Sequence, residues 1–189
     1  IGKQGRGPDE YQVYSYIPFN SDKREIYALG PSRQILVYDL SGKIIDRISP
    51  PIWKDIGIPA NDEIFNHFQT IYVQYYNTLV PNIFVGYVRN NSGTEKRKVV
   101  LFSKDGYLKV FPNHLIYKRE DWRQFWHPPG QFAKFYKWNN ELNFIEAFCD
   151  TLYHITKHQL IPRYYFNFGR FNPPYTKQPD IMLQKHWYE

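Results

Sequence analysis

Short apolar-rich runs, each closed by Gly, Pro, Asn or Asp, recur along the chain and predict strands joined by turns. Glu25-Ile26-Tyr27-Ala28-Leu29 is predicted as one strand and Gln34-Ile35-Leu36-Val37-Tyr38-Asp39 as the next. Leu40-Ser41-Gly42 supplies a turn in which Gly42 can take positive φ. Lys43-Ile44-Ile45-Asp46-Arg47-Ile48 returns and stops at Pro50-Pro51. A second unit repeats that order. Asn82 to Val88 is a strand, Asn90-Asn91-Ser92-Gly93 opens a loop, and Lys98 to Phe102 is the next strand. Asp105-Gly106 is a two-residue hairpin turn, and Tyr107 to Phe111 returns before Pro112.

A looser third unit has four strands: Phe132 to Lys137, Leu142 to Glu146, Thr151 to Ile155 and Arg163 to Asn167. Asn139-Asn140 and His158-Gln159 are its turns. Four strands is the content of one propeller blade. Ile71 to Tyr76 is a further strand, Asn61 to Phe68 a helical turn or loop, and Ile181 to Glu189 a short helix or frayed end. Each small sheet exposes two apolar faces, which stacking of the next sheet would cover.

Composition supports the β reading. Aromatic residues make up 19% of the chain (17 Tyr, 14 Phe, 5 Trp), and such side chains suit half-buried pleated surfaces. The hydrophobic fraction of 42% and charged fraction of 22% exclude a disordered chain. The 14 Pro and 11 Gly are spread along the sequence, as many turns require.

The formal charge of +6 raises a nucleic-acid reading, but Lys and Arg are scattered. Their densest group, Lys96-Arg97-Lys98, lies beside the Asn/Ser/Gly loop and is expected to be a solvated loop tip. The single cysteine, Cys149, excludes an internal disulfide and a multi-thiolate zinc site, and its apolar surroundings predict a small buried hydrophobe. No apolar run is long enough for a transmembrane helix.

Three motifs resemble a known family. Ile1-Gly2-Lys3-Gln4-Gly5-Arg6-Gly7-Pro8-Asp9-Glu10-Tyr11 resembles the G-x-G-P-x-E-Y segment of six-bladed β-propellers abundant in Bacteroidetes, relatives of TolB-like and NHL-repeat propellers. Asp150-Thr151-Leu152-Tyr153-His154-Ile155 is similar to a later D-T-(I/L)-Y-x-I strand of that family. Pro162-Arg163-Tyr164-Tyr165-Phe166-Asn167-Phe168-Gly169 is similar to the strand that follows it. The resemblance implies an all-β fold, a section of a six-bladed β-propeller built from four-stranded antiparallel blades. It also implies export to the cell envelope or beyond, as a periplasmic or surface lipoprotein whose lipid anchor belongs to the full-length protein. At about 40–50 residues per blade, residues 1–189 are expected to form a single, incomplete propeller region of about three to four blades.

No catalytic motif is assembled locally. Gly2-Lys3-Gln4-Gly5-Arg6-Gly7-Pro8 lacks the Lys-Ser/Thr ending of a phosphate loop. Its Gly5, Gly7 and Pro8, like Gly42 and Gly106, are expected to be structural turn residues. The histidines (67, 114, 127, 154, 158 and 186) form no His-x-His or His-Glu-x-x-His motif, and His154 and His158 lie in a strand-turn context, so no metal is expected. There is no Gly-x-Ser-x-Gly elbow. Asp62-Glu63 and Glu120-Asp121 are adjacent in sequence, whereas acid/base work needs convergence across a cleft. No cofactor is implied.

Tyr117 to Pro129 is too aromatic for a solvent loop and too charged for a core strand. Trp122, Arg123, Trp126 and His127 are the candidate ligand-binding residues: flat rings beside a charged donor suit a sugar or peptide. The plainer alternative is a loop packing its tryptophans over a blade edge. The expected function is a non-enzymatic extracytoplasmic module binding a protein or carbohydrate partner. The alternative is a propeller-based glycan or peptide hydrolase or lyase with a site assembled from several blades. Nucleic-acid binding, resting on charge alone, is third.

Overall fold

A computed structural model describes residues 3–11, 19–30, 34–52, 54–57, 71–77, 82–88, 95–106, 108–114, 133–146, 149–167 and 169. Every regular element among them is a strand. In chain order these are β1 (Lys3–Gln4), β2 (Glu10–Tyr11), β3 (Phe19–Asn20), β4 (Glu25–Leu29), β5 (Ile35–Tyr38), β6 (Ile44–Ile48) and β7 (Ile71–Asn77). They continue as β8 (Ile83–Val88), β9 (Arg97–Ser103), β10 (Leu108–Pro112), β11 (Ala133–Trp138), β12 (Glu141–Glu146), β13 (Thr151–Ile155) and β14 (Leu160–Tyr165).

Twelve of them form three four-stranded antiparallel sheets, β3-β4-β5-β6, β7-β8-β9-β10 and β11-β12-β13-β14, each in sequence order. Short turns produce that order. Gly42 (φ 86°) closes the β5–β6 turn and Gly106 (φ 84°) the β9–β10 turn, a backbone region that side chains rarely enter. Asn139 and Asn140 both take positive φ between β11 and β12, as a type I′ hairpin needs. Asp39 Oδ1 accepts hydrogen bonds from the Ser41 and Lys43 amides and the Ser41 hydroxyl. These bonds, the hydroxyl's above all, hold the Asp39 carboxyl below its ordinary value.

The sheets stack through apolar faces. Tyr27, Ile35, Val37 and Ile48 of the first sheet meet Phe84, Val88, Val100 and Phe102 of the second. The opposite face of the second sheet offers Ile83, Val85, Tyr87, Val99 and Leu101 to Phe135, Leu142, Phe144 and Ile155 of the third. This is why β8 and the middle of β9 are buried continuously rather than alternately: the second sheet is covered on both sides. Rings meet at each junction, Tyr27 edge-on to Phe84 at 5.6 Å and Tyr87 against Phe144 at 6.0 Å.

The outer face of the first sheet (Ile26, Ala28, Leu36, Tyr38) is covered in part by Tyr11. That segment is pinned by Arg47, which pairs with the Asp9 carboxylate and donates to the Pro8 carbonyl, and by the Tyr38 hydroxyl, which donates to the Asp9 carbonyl.

Several expectations are corrected here. Pro112, expected to follow its strand, is the last residue of β10. The fourth strand of the third sheet begins at Leu160, and Pro162 sits inside it, which an edge strand tolerates because an outward-facing backbone position needs no donor. β1 pairs with β2 in parallel across the glycine turn. The stretches 61–68 and 181–189 lie outside the described residues.

Candidate functional site

Strand polarity sorts the connections between the two ends of the sheets. The turns β3–β4, β5–β6, β7–β8, β9–β10, β11–β12 and β13–β14 all occupy one end and are short. The other end receives the connections 30–34, 49–70, 89–96, 113–132 and 147–150, including both that pass from one sheet to the next. Loops on a rigid strand scaffold are where binding residues concentrate, so this second end is the candidate site.

Two polar networks lie beneath it. The first joins three of these connections, 49–70, 89–96 and 113–132. Glu95 Oε1 accepts 2.8 Å hydrogen bonds from the Arg97 amide and guanidinium. The same guanidinium donates to the Ile56 carbonyl at 2.8 Å and the Gly57 carbonyl at 2.5 Å. The Asn113 side chain donates to the Glu95 carbonyl at 3.0 Å and its amide to the Lys96 carbonyl at 2.7 Å. Glu95 and Asn113 are buried, so connections 49–70, 89–96 and 113–132 share one desolvated anchor.

The second network lies between the second and third sheets. Lys98 Nζ donates to Glu146 Oε2 at 2.5 Å, and the Tyr87 hydroxyl donates to Glu146 Oε1 at 2.6 Å. The Lys98 and Glu146 side chains are 4% and 3% exposed, so both charges are out of water and each needs the other. Lys98 Nζ also stands 5.9 Å from the centre of the Tyr153 ring. Burial pushes the Tyr153 hydroxyl and the neighbouring Cys149 thiol up from their ordinary values. A thiol held neutral in this way is a packing group rather than a nucleophile.

This overturns the reading of Lys96-Arg97-Lys98 as a solvated loop tip. Arg97 begins β9, and both Arg97 and Lys98 are engaged in ion pairs. Simple alternation would put Lys98 on the side of Val100, toward the first sheet. Instead β10 pairs Phe111 with Val99 and Pro112 with Arg97, leaving Lys98 as the extra residue of a bulge. The bulge turns Lys98 to the side of Val99, where Glu146 waits.

The expected turn residues can also be located. The Gly7 amide donates to Glu10 Oε2 at 2.7 Å, and the Gly5 amide donates to the Tyr11 carbonyl at 3.2 Å. A Cβ on Gly5 would fall on the Glu10 carboxylate. Pro8 contributes its carbonyl to Arg47. The motif therefore folds around its own glutamate and leaves no anion cradle.

Trp122, Arg123, Trp126 and His127 lie outside the described residues, as do His67, His186 and the Asp62-Glu63 and Glu120-Asp121 pairs. The 113–132 connection that carries the tryptophans leaves from the end of β10 and arrives at the start of β11, both at the candidate end. Among the described residues no group of three or more His, Cys, Asp or Glu side chains is placed to hold a metal ion. No helix among them is long and apolar enough to cross a membrane.

Comparison with known proteins places the chain. Residues 1–187 match the family described as "Domain of unknown function (DUF4934)". The chain belongs to that family. No curated protein matches its sequence. Among solved structures, the fold is similar to that of a "Putative exported protein" from Bacteroides fragilis NCTC 9343, with a TM-score of 0.56 and 16% identity. The match covers 88% of this chain and 41% of that chain, so this member of DUF4934 covers less than half of its structural neighbour.

Proposed function

We propose that this DUF4934 chain is a section of a six-bladed β-propeller that acts outside the cytoplasm and binds a protein or glycan partner without transforming it. The observation that carries the reading is the sorting of connections by strand polarity, which puts both ends of the connection that holds Trp122 and Trp126 in its sequence at the same end as the anchored parts of connections 49–70 and 89–96. The radial arrangement is supported by sheets in sequence order, each stacked on the next, and by the approach of β7 to β11, the first strands of neighbouring sheets. Export agrees with the description of the Bacteroides fragilis protein and with the family resemblance of the Gly5–Tyr11 motif.

Nucleic-acid binding, which rests on net charge, gains nothing from the densest basic group, because two of its three cations are committed to carboxylates.

Glycan and peptide arrays probed with the full chain, followed by calorimetry on any hit, test the proposal. Binding should be lost in a Trp122→Ala/Trp126→Ala variant, and mass spectrometry should recover the ligand intact. Cleavage of the bound ligand would replace this reading with the hydrolase or lyase alternative. Binding unchanged in the double variant would move the site elsewhere.

A further inference from the structure

The short-turn end of the sheets, opposite the candidate site, has a focus of its own. Three of its turns, β3–β4, β7–β8 and β11–β12, each follow the first strand of a sheet. Side chains join them across the sheets. Lys23 Nζ donates to Asn82 Oδ1 at 2.7 Å, and Lys137 Nζ lies 3.9 Å from the Asp22 carboxylate.

The backbone singles out the same three turns. Among the described residues, the non-glycine residues with positive φ are Arg24 (55°), Asn82 (66°), Asn139 (48°) and Asn140 (59°), and all stand there. The β5–β6 and β9–β10 turns at the same end meet the same need with Gly42 and Gly106. Glycine enters this region freely, asparagine tolerates it, and arginine enters it at a cost. A side chain kept where glycine would relieve the backbone points to a use for that side chain.

The chemistry of the turns is cationic and amide-rich. Lys23, Arg24 and Lys137 outnumber Asp22, and the flanking carboxylates are engaged: Glu25 accepts from the Tyr27 hydroxyl at 2.6 Å and Glu141 pairs with Arg163. Asn82, Asn139 and Asn140 are exposed. Ammonium groups suit a carboxylate, and side-chain amides both donate and accept, as sugar hydroxyls do.

We propose that these three turns form a second binding site, for an acidic saccharide, in which Lys23, Arg24 and Lys137 supply the charge for its carboxylates and the asparagines meet its hydroxyls. The site rests on the radial reading above. Failure of that reading shows separately, as a long distance between residues 22 and 137, whatever the chain binds.

Calorimetry on the full chain tests the site with four probes: a hexuronate trisaccharide, its neutral methyl ester, tricarballylate, and a short single-stranded DNA. Tricarballylate carries the same charge as the trisaccharide without its hydroxyls. The trisaccharide should bind measurably and the other three several-fold more weakly. Lys23→Gln/Lys137→Gln should lose most of that affinity, whereas Trp122→Ala/Trp126→Ala should keep it. Arg24→Gly should raise the melting temperature by relieving the positive φ, yet weaken the trisaccharide several-fold. No binding of the trisaccharide would overturn the proposal, as would equal or tighter binding of any other probe. Affinity unchanged in the double lysine variant or in Arg24→Gly would also overturn it. Affinity lost in the tryptophan variant would move the saccharide to the opposite end and overturn it as well.

Discussion

Lys137 Nζ at the end of β11 lies 3.9 Å from the Asp22 carboxylate in the β3–β4 turn, although the second sheet stands between the first and the third. An exposed pair of this length contributes little energy. Its value is geometric. Sheets stacked like parallel plates would hold these residues two interlayer spacings apart, about 20 Å. Sheets fanning from a shared axis bring their innermost turns together. Lys23, which donates to Asn82 at 2.7 Å, makes the corresponding contact between the first and second sheets.

The Lys98–Glu146 pair should be strongly non-additive. Glu146→Leu leaves a buried ammonium without its carboxylate and should cost about 3–5 kcal/mol. Lys98→Met should cost a similar amount. The double variant should cost clearly less than the sum, because it removes both charges together. Urea unfolding of the four proteins measures this, and strictly additive losses would mean that the two side chains do not pair.

How much of this was legible beforehand differs by residue. The strands around Val37, Leu101 and Phe144 were visible because apolar runs end at Gly42, Asp105-Gly106 and Asn139-Asn140, residues whose backbone freedom sets the turns. β3 escaped because two residues carry no period. Lys98 escaped because a bulge is a departure from alternation, and nothing local marks the partner strand that skips it. The three cations in a row looked solvated because Glu95 and Glu146, which neutralise two of them, are brought near by a turn and by a neighbouring sheet. The aromatic stretch 117–129 was conspicuous by composition alone and lies outside the described residues.

Acid should loosen the junction of the first and second sheets. Asp46 lies below its ordinary carboxyl value, chiefly through the 2.5 Å hydrogen bond from Lys104. A carboxyl whose folded value is depressed adds stability that is complete above its unfolded value, near pH 4. That stability is lost as the pH falls through the folded value. The melting temperature of Lys104→Ala should therefore sit below that of the native chain at pH 7, and the gap should narrow toward pH 3. A gap that widens on acidification would reverse the assignment.

Cys149 should react slowly. Burial raises its thiol, so both the thiolate fraction and access are low. Modification by a thiol-specific disulfide reagent at pH 8 should lag far behind that of free cysteine and accelerate in denaturant. Prompt reaction of the folded chain would contradict its burial.

Gly5→Ala should displace the Glu10 carboxylate and free the Gly7 amide that it now accepts. A lost buried or half-buried hydrogen bond of this type is worth about 1–3 kcal/mol locally. Hydrogen exchange in residues 3–11 should quicken in Gly5→Ala and in Glu10→Ala to a similar degree. Unchanged exchange in both would mean that the turn does not depend on its glutamate.

The proposed fan of sheets is tested most directly by two electron-spin distances measured on the full chain, with Cys149→Ala as background. Labels at Asp22→Cys and Lys137→Cys report the inner ends of the first and third sheets, and labels at Ile45→Cys and Ile161→Cys report their outer strands. The inner pair should be markedly the closer of the two; equal distances would leave three parallel layers and no common axis.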